Sequence, residues 1–519
     1  MSDTTDTNLA AARSRIQAAY DPVAVEQLGQ RLASLLGDHL RRVESSSDRV
    51  LNWADPRANL DLAACELEAA SVTRSPAPLS PDELVARFSD IVANILSRGQ
   101  NLHDPRYVGH QVPASIPLAG WFDAVGSVTN QVMAIYEMGP WATAVEQALV
   151  GKLGGYLGWQ PGHFAGVVTH GASLANLTGL LAARNVTLGD AWERGMARDS
   201  GSAPVLVTQQ DAHYSVARAA GILGLGTNNV IKVGQDARRR MDPAKLDATL
   251  AELRSAGRPI IAVVASACAT PIGAFDPLND VADLCEKHRV WLHVDAAHGG
   301  SAVLSSRHRH LVAGLERADS LVWDAHKMLF VPALCAFLFY KNGRHGYEAF
   351  RQNAPYLFDP SAPGMAEFDS GLRTIECTKR AAAFGLWGAW NLFGPQLFTD
   401  LVDVTFDLAQ QFHDKLRASE DFVALHEPQC NIVAFRHVPP ALRDADSKRL
   451  GEFQQKLRRS VIESGEFYLT ATPLDGVAAL RVTLINPLTT GGTLDELLAT
   501  LRRHGKMVEG RGARGEGRG

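Results

Sequence analysis

The hydrophobic positions of the first hundred residues recur every three or four residues, which is the spacing of one face of an α-helix. This period predicts helices over residues 23–40 and 84–96. Ser80 precedes the second helix, and Glu83 follows three residues later, which is the pattern of a capping box. We therefore expect residues 1–102 to form a helical N-terminal segment.

Beyond about residue 160 the pattern changes to short runs of β-branched, aliphatic and aromatic residues with helical stretches between several of them. The runs expected to be strands are residues 205–208, 230–233, 260–265, 290–294, 321–323 and 335–340. Alternation of this kind predicts an α/β domain around a largely parallel sheet, with functional groups at the strand ends. We assign this domain to residues 103–395.

After about residue 395 the predicted elements alternate differently. A long helix is expected over residues 398–416. It is followed by a predicted strand over 431–435, a helix over 448–464 and a strand over 479–484. This order suits a smaller α+β C-terminal domain over residues 396–505. The glycine- and arginine-rich residues 506–519 are expected to be a disordered tail.

Composition and charge exclude several classes of function. The 519 residues are 46% hydrophobic and carry 51 Lys+Arg against 56 Asp+Glu, a net charge of -5. That balance offers no broad cationic surface for nucleic acid or anionic lipid. There is no run of about 18 apolar residues to span a membrane, and the six scattered cysteines favour reduced thiols in a cytoplasmic protein.

The residues that carry chemistry lie between positions 290 and 327. The predicted strand that ends at Asp295 places this carboxylate on the same face as His293, because side chains alternate along a strand. A second strand delivers Asp324-Ala-His326-Lys327, in which Lys327 follows Asp295 by 32 residues. Apolar residues follow Lys327, so partial desolvation is expected to lower its pKa and to make its amine a nucleophile toward a carbonyl.

These two motifs, His293-Val-Asp295-Ala-Ala297 and Asp324-Ala-His326-Lys327, resemble those of the group II pyridoxal-phosphate-dependent amino-acid decarboxylases. That family includes glutamate, aromatic amino-acid, cysteine sulfinate and diaminobutyrate decarboxylases. The resemblance extends from about residue 103 to residue 487. It implies a fold-type I enzyme that binds pyridoxal 5'-phosphate and a small amino acid, and that is a homodimer clasped by its N-terminal segment.

The resemblance also implies a role for each matching residue. Lys327 matches the lysine that holds pyridoxal phosphate as an internal aldimine, and Asp295 matches the carboxylate that faces the pyridine nitrogen. His213 matches the histidine that stacks on the ring, and Ala297 would cover the opposite face. The remaining residues implied to contact the cofactor are Thr270 beside it, the phosphate-binding turn Gly171-Ala172-Ser173 at a helix start, and His326.

Two further matches concern the reaction. Tyr356 follows Lys327 by 29 residues and resembles the tyrosine of a mobile loop that reprotonates Cα after carbon dioxide leaves. A phenol at this position favours simple decarboxylation over the oxidative, aldehyde-forming reaction of some relatives. Arg481 matches an arginine that contacts the substrate carboxylate, although a structural ion pair is an alternative role for it.

The sequence departs from the glutamate decarboxylases on the substrate side. His110 stands where those enzymes carry a glutamine, and Val132 replaces an asparagine used for the side-chain carboxylate. Because a buried carboxylate without donors is costly, we expect poor activity on glutamate. The preferred amino acid stays open, since Gly109-His110 resembles the diaminobutyrate enzymes whereas Tyr356-Leu-Phe358 resembles the glutamate and cysteine sulfinate branch.

Two other classes compete with this interpretation. His293, Asp295 and His298 could bind a catalytic metal in a hydrolase, but that leaves Lys327 and the phosphate turn without roles. A non-catalytic protein that binds pyridoxal phosphate would hold the cofactor and release no carbon dioxide. Bound pyridoxal phosphate colours a protein yellow, whereas a zinc site is colourless.

Overall fold

The computed structural model describes residues 2–73, 79–196, 202–350 and 368–515. Their contacts divide the chain into two compact units. The smaller unit consists of Met1–Val108, Lys456–Leu469 and Leu488–Gly519, and the larger one of Gly109–Gln455 and Thr470–Pro487. The smaller unit thus combines segments from both ends of the chain, whereas each predicted domain is one continuous stretch of sequence. The domain boundaries after residues 102, 395 and 505 stay a prediction.

The described residues form fifteen α-helices. They are α1 Ser2–Ala19, α2 Pro22–Glu44, α3 Pro56–Thr73, α4 Pro81–Arg98, α5 Pro117–Val128, α6 Pro140–Tyr156, α7 Ala172–Leu188, α8 Ala191–Arg194, α9 Ser215–Ile222, α10 Pro243–Ser255, α11 Leu278–His288, α12 Ala325–Met328, α13 Phe384–Arg417, α14 Ser447–Ser464 and α15 Gly491–Gly515. No helix in the described ranges is long and apolar enough to cross a membrane.

The same residues form fourteen strands. They are β1 Val132–Met133, β2 Ala165–Thr169, β3 Val205–Gln209, β4 Val230–Val233, β5 Ile260–Ala269, β6 Ala274–Phe275, β7 Trp291–Asp295, β8 Ser320–Asp324, β9 Ala336–Tyr340, β10 Lys379–Arg380, β11 Phe422–Ala424, β12 Ile432–His437, β13 Thr470–Leu474 and β14 Val477–Thr483.

The smaller unit contains the helices predicted at the N-terminal end of the chain. The two predicted helices are confirmed as α2 and α4, and α4 begins with the predicted capping box between Ser80 and Glu83. Helix α15 continues to Gly515, beyond residue 506 at which the composition predicts a disordered tail. Leu497 and Leu501 are buried and fix the preceding turns of α15, and glycine weakens a helix without necessarily ending it.

The larger unit is built on a central sheet with the strand order β2-β9-β8-β7-β5-β3-β4. Strands β8, β7, β5, β3 and β4 are parallel to one another, whereas β9 is antiparallel to both of its neighbours, β8 and β2. All ten residues of β5 are buried, as expected for a central strand with both faces covered. The prediction of an α/β fold around a mostly parallel sheet is confirmed.

A second sheet of the larger unit is antiparallel, with the strand order β11-β12-β14-β13. The long helix α13 packs on it, with the ring of Phe412 edge-on to that of Phe435 at a centroid distance of 5.2 Å. Gly394 interrupts α13 with φ 72°, directly before Pro395. The helix is therefore two segments joined at a kink, as proline and a left-handed glycine require.

Candidate active site

The carboxyl ends of three neighbouring parallel strands position the candidate residues. Strand β7 ends at Asp295 and lies between β5 and β8, with Ser266 of β5 beside Asp295 in the ladder. Helix α12 begins directly after β8 and carries Lys327. Since the carboxyl ends of parallel strands meet at one edge of a sheet, residues far apart in sequence share one pocket.

Six of the residues that the resemblance assigns to the cofactor line that pocket: Ala172, His213, Thr270, Asp295, Ala297 and Lys327. They come from the start of α7, the segment before α9, the turn after β5, the turn after β7 and α12. The structure thus brings together an amine, a carboxylate and an imidazole at the strand ends.

Lys327 contacts a buried carboxylate. Its Nζ lies 3.3 Å from Oδ2 of Asp324, and the Lys327 side chain is 21% exposed. Burial raises the pKa of Asp324, while the nearby Lys327 and His326 act in the opposite direction. The Lys327 side chain therefore lines the pocket and at the same time forms an ion pair with Asp324.

Asp295 is held through both of its carboxylate oxygens. Oδ2 accepts a hydrogen bond of 2.9 Å from the side-chain amide of Asn176, and Oδ1 accepts one of 3.2 Å from the backbone N–H of Ala297. Two donors to an ionised carboxylate stabilise its charge and fix its direction. The carboxylate is thus oriented by the protein itself.

Asn176 connects Asp295 to His213. Its amide nitrogen also donates to Oγ of Ser215 at 3.0 Å, and that hydroxyl lies 2.9 Å from Nδ1 of His213. The backbone N–H of Ser215 donates to the same Nδ1 at 3.3 Å, so Nδ1 is an acceptor and Nε2 carries the proton. Burial lowers the pKa of His213, which favours the neutral imidazole.

His293 forms a hydrogen bond with Asn176 and so belongs to the same network. Its Nε2 donates to Oδ1 of Asn176 at 2.9 Å, and its Nδ1 lies 2.7 Å from Oγ of Ser320. Trp291 donates to the same hydroxyl at 2.9 Å, so Ser320 can give its own proton to His293. Burial lowers the pKa of His293 to about 4, and both of its nitrogens are engaged within the protein.

The candidate phosphate turn lies at the beginning of α7. Gly171 has φ 103°, a backbone conformation that favours glycine, and Ala172 is the first residue of the helix. Ser173 follows in the first turn, where the N–H groups of a helix are free to bind an anion. The Nδ1 of His326 lies 2.8 Å from the carbonyl oxygen of Cys335, and its Nε2 lies 3.5 Å from Asp324, so its contact with the cofactor stays a prediction.

The substrate-side candidates lie in different places. His110 is exposed, and Val132 pairs with Arg380 in a two-stranded ladder. In the described part of the chain neither of them lines the pocket at Lys327. Arg481 is buried on β14 and donates from Nη1 to the carbonyl oxygen of Thr270 at 2.9 Å. Tyr356 falls within residues 351–367, outside the described residues.

The structure adds residues that the sequence reasoning missed. Gln111 and Cys268 also line the pocket, and Asn176 connects Asp295 with Ser215, which contacts His213. His298, named above only as a possible metal ligand, lines the pocket too. Asn176 follows Ala172 by four positions and shares its helix face, which is a signal that could have found it. Cys268 gave no signal, because it lies within a buried apolar strand.

The rival metal site of a hydrolase is not favoured. Within the described ranges, the side chains that could jointly hold a metal are Cys268, His298 and Cys430, without His293 or Asp295. His293 fails as a ligand because both of its nitrogens already have partners in Asn176 and Ser320.

The donor set of the pocket fits pyridoxal phosphate. It offers an amine for the aldehyde, a carboxylate for the pyridine nitrogen and a helix start for the phosphate. Residues 69–438 match the family described as the pyridoxal-dependent decarboxylase conserved domain. The chain belongs to this family. The predicted class, a carboxy-lyase that uses pyridoxal phosphate, is thereby confirmed.

Relatives within this decarboxylase family match most of the chain. The chain is 30% identical over 495 residues to "Cysteine sulfinic acid decarboxylase" of Rattus norvegicus, covering 94% of this chain and 97% of the relative. It is 33% identical over 385 residues to "Acidic amino acid decarboxylase GADL1" of Homo sapiens, covering 73% of each. These relatives confirm the resemblance to group II decarboxylases.

Solved structures agree with the fold of this decarboxylase. The crystal structure of mouse CSAD matches with a TM-score of 0.84 and 28% identity, over 93% of this chain and 99% of that one. The structure of Oryza sativa TDC with PLP and tryptamine matches with a TM-score of 0.83 and 21% identity, over 94% and 98%. The latter likeness shows the shared fold alone.

Proposed function

We propose that this decarboxylase removes the α-carboxyl group of an L-amino acid as carbon dioxide, with pyridoxal phosphate attached to Lys327. The observation that carries the proposal is the meeting of Lys327, Asp295 and His213 in one pocket at the strand ends. A pocket that combines a paired amine, an oriented carboxylate and a neutral imidazole supplies what this cofactor needs.

When bound, pyridoxal phosphate supplies a protonated ring that accepts electrons as the bond from Cα to the carboxylate breaks. The task of Asp295 is to hold the proton on the pyridine nitrogen. Hydrogen bonds from Asn176 and from the N–H of Ala297 hold the carboxylate in a fixed direction for that task. His213 covers one face of the ring as a neutral imidazole and excludes water from it, while the small side chain of Ala297 leaves room on the other face.

Tyr356 returns a proton to Cα after carbon dioxide has left. This part of the proposal rests on the sequence resemblance, since Tyr356 lies outside the described residues. A phenol supports it chemically, because its O–H both donates and accepts hydrogen bonds.

We expect poor activity on glutamate, and the preferred amino acid stays open. His110 and Val132 remove two polar partners that the glutamate enzymes use, and an unpaired carboxylate is costly to bury. The relatives named for cysteine sulfinic acid and for acidic amino acids make smaller anionic side chains the first to test. Arg481, which donates to Thr270 beside the pocket, is the cation proposed to contact the substrate carboxylate.

The test is release of carbon dioxide by the holoprotein from glutamate, aspartate, cysteine sulfinate, 2,4-diaminobutyrate, lysine, tyrosine and tryptophan. We expect release from at least one of the others at a higher rate than from glutamate. The exposed Lys341→Ala variant serves as the control and should keep that rate. Bound cofactor without release from any amino acid would point to a non-catalytic pyridoxal-binding protein instead.

We further propose a homodimer in the cytoplasm, with the helical residues 1–102 as the clasp. All six cysteines are free, which suits a reducing compartment. Helices α5 and α13 of the larger unit also expose large apolar side chains, among them Val125 and Leu392, as interfaces do. A fully active monomer in analytical ultracentrifugation would overturn the dimer.

A further inference from the structure

Three buried side chains with metal-binding atoms meet beside the pocket. Cys268 lies near the end of β5, His298 follows β7 in the turn, and Cys430 precedes β12. One ligand atom of each lies within 4.8 Å of the others. All three are buried, with His298 and Cys430 each only 2% exposed. We refer to them as the thiol–imidazole cluster.

The two sulfur atoms stand at the spacing that a bound ion needs. The Sγ atoms of Cys268 and Cys430 are 3.8 Å apart. A tetrahedral zinc ion with Zn–S bonds of about 2.3 Å holds two sulfurs about 3.8 Å apart. A disulfide requires a separation of about 2 Å, so the pair is not cross-linked.

His298 has the orientation of a metal-binding histidine. Its Nε2 donates to Oδ1 of Asn431 at 2.7 Å, and the Asn431 amide nitrogen donates in turn to the carbonyl oxygen of Leu484 at 3.3 Å. Nδ1 is buried and has no hydrogen-bond partner among the described residues. Metal-bound histidines characteristically donate their other nitrogen to such an oxygen, which fixes the tautomer and leaves one lone pair for the ion.

We propose that Cys268, Cys430 and His298 bind one Zn²⁺ ion. Two thiolates and a neutral imidazole balance the charge of the ion. A site made of thiolate and imidazole donors binds zinc in preference to hard cations. On binding, each thiol releases one proton to solvent and its sulfur bonds to the ion. The three protein ligands leave one coordination position for water or another small ligand.

This site is separate from the proposed decarboxylation chemistry and joins three elements of the larger unit. The ion would tie the end of β5 and the turn after β7 to the start of β12 in the second sheet. Cys268 and His298 also line the pocket at Lys327. Zinc would therefore be held at the wall of that pocket, because the third ligand, Cys430, is not among the residues that line it.

The direct test uses the holoprotein after treatment with a chelator and a non-thiol reductant. Zn²⁺ is titrated in competition with a chromophoric chelator, and Co²⁺ is used as a spectroscopic probe. We expect one equivalent of Zn²⁺ per chain and, for Co²⁺, the strong visible bands of a tetrahedral thiolate site, to the red of the pyridoxal absorption. No binding, or Co²⁺ bands without thiolate ligation, would overturn the proposal.

Variants assign the ligands. Cys430→Ser and His298→Gln should each lower the affinity for Zn²⁺ at least about 100-fold, because loss of outer partners alone typically costs about 10- to 100-fold. Asn431→Ala should lower it about tenfold. Cys285→Ser, which removes a buried thiol of α11 outside the cluster, should leave it unchanged. Equal affinity in Cys430→Ser and the unsubstituted protein would contradict the assignment.

A measurement on the unsubstituted protein keeps the test valid if a variant does not fold. Zn²⁺ should slow the alkylation of Cys268 and Cys430 by N-ethylmaleimide, followed by peptide mass spectrometry, and should leave the rates at the buried Cys285 and Cys335 unchanged. Uniform rates with and without Zn²⁺ would refute the site. Since neither readout is carbon dioxide release, failure here is distinct from failure of the proposed function.

Discussion

Two polar clusters at the carboxyl end of the central sheet differ in how completely they are bonded. Around Asn176, the side chains of Asp295, Ser215 and His293 all have hydrogen-bond partners. In the thiol–imidazole cluster, Nδ1 of His298 has none within the described ranges. The hydrogen bonds of the first cluster are all made within the protein, so its carboxylate is oriented before a ligand binds. The second cluster has a nitrogen that a ligand could bind.

Each cluster contains one buried histidine that lies in β7 or shortly after it. His293 lies within β7 and His298 just after it, and burial lowers their pKa values to about 4 and about 3. Both imidazoles are therefore neutral near pH 7. The difference comes from their neighbours: His293 has a hydroxyl and an amide at its two nitrogens, whereas His298 has one amide and two thiols nearby.

The largest expected effect comes from Lys327→Ala, which leaves both clusters intact. The variant should lose the covalent attachment of pyridoxal phosphate and nearly all turnover, because the amine that lines the pocket is gone. The absorption spectrum and carbon dioxide release measure the two losses. The exposed Lys341→Ala is the matched control, and turnover in Lys327→Ala close to that of the control would remove Lys327 from the account.

Asp295→Asn should have the next largest effect. The amide keeps the size of the side chain but cannot hold the proton on the pyridine nitrogen. Loss of a charge-assisted hydrogen bond of about 1.5–3 kcal/mol corresponds to a fall in rate of about 10- to 100-fold. The variant should still bind some cofactor. Comparable rates of carbon dioxide release in the two proteins would show that this charge does not assist the reaction.

Asn176→Ala tests the hub of the first cluster. It removes hydrogen bonds to Asp295 and Ser215 and leaves His293 without its acceptor, so the affinity for pyridoxal phosphate should fall about tenfold, as for the loss of outer partners elsewhere. Fluorescence titration of the apoprotein measures it. Asn431→Ala, the corresponding change in the second cluster, should lower cofactor affinity less; the reverse order would contradict the division of roles between the clusters.

A different kind of effect is expected on stability against pH. An unfolded histidine takes up a proton near pH 6.5, whereas His293 in the folded protein does so near pH 4. The unfolded state thus binds more protons in between, so stability falls by about 3 kcal/mol as the pH drops through this window. Urea denaturation at pH 7, 6 and 5 measures it. His293→Gln should reduce the slope, and an unchanged slope would mean that other groups cause it.

Many helices and strands could be predicted from the sequence because local residue patterns determine where they begin and end. Helix α14 begins one residue before its predicted range, and β7 and β8 differ from theirs by one residue at each end. These boundaries follow from periodicity and from capping or turn residues within a few positions. The short β2, which pairs antiparallel with β9, was missed.

In the candidate site, too, some residues could be predicted from local sequence and others could not. Asp295 and Lys327 could be found because each follows its own strand, and the parallel sheet then brings them together. The bonds of Asn176 could not be predicted, since its partners Ser215 and Asp295 are 39 and 119 positions away. The contact between Cys268 and Cys430 spans 162 positions. Such contacts depend on tertiary packing, which no local pattern specifies.

The central claim is that Lys327 carries the cofactor of a decarboxylase, and one measurement tests it most directly. The purified holoprotein is reduced with borohydride, digested, and searched by mass spectrometry for the pyridoxyl group. We expect one modified peptide, with the group on Nζ of Lys327 and with loss of carbon dioxide release on reduction. A pyridoxyl group on another lysine, with Lys327 unmodified, would contradict it.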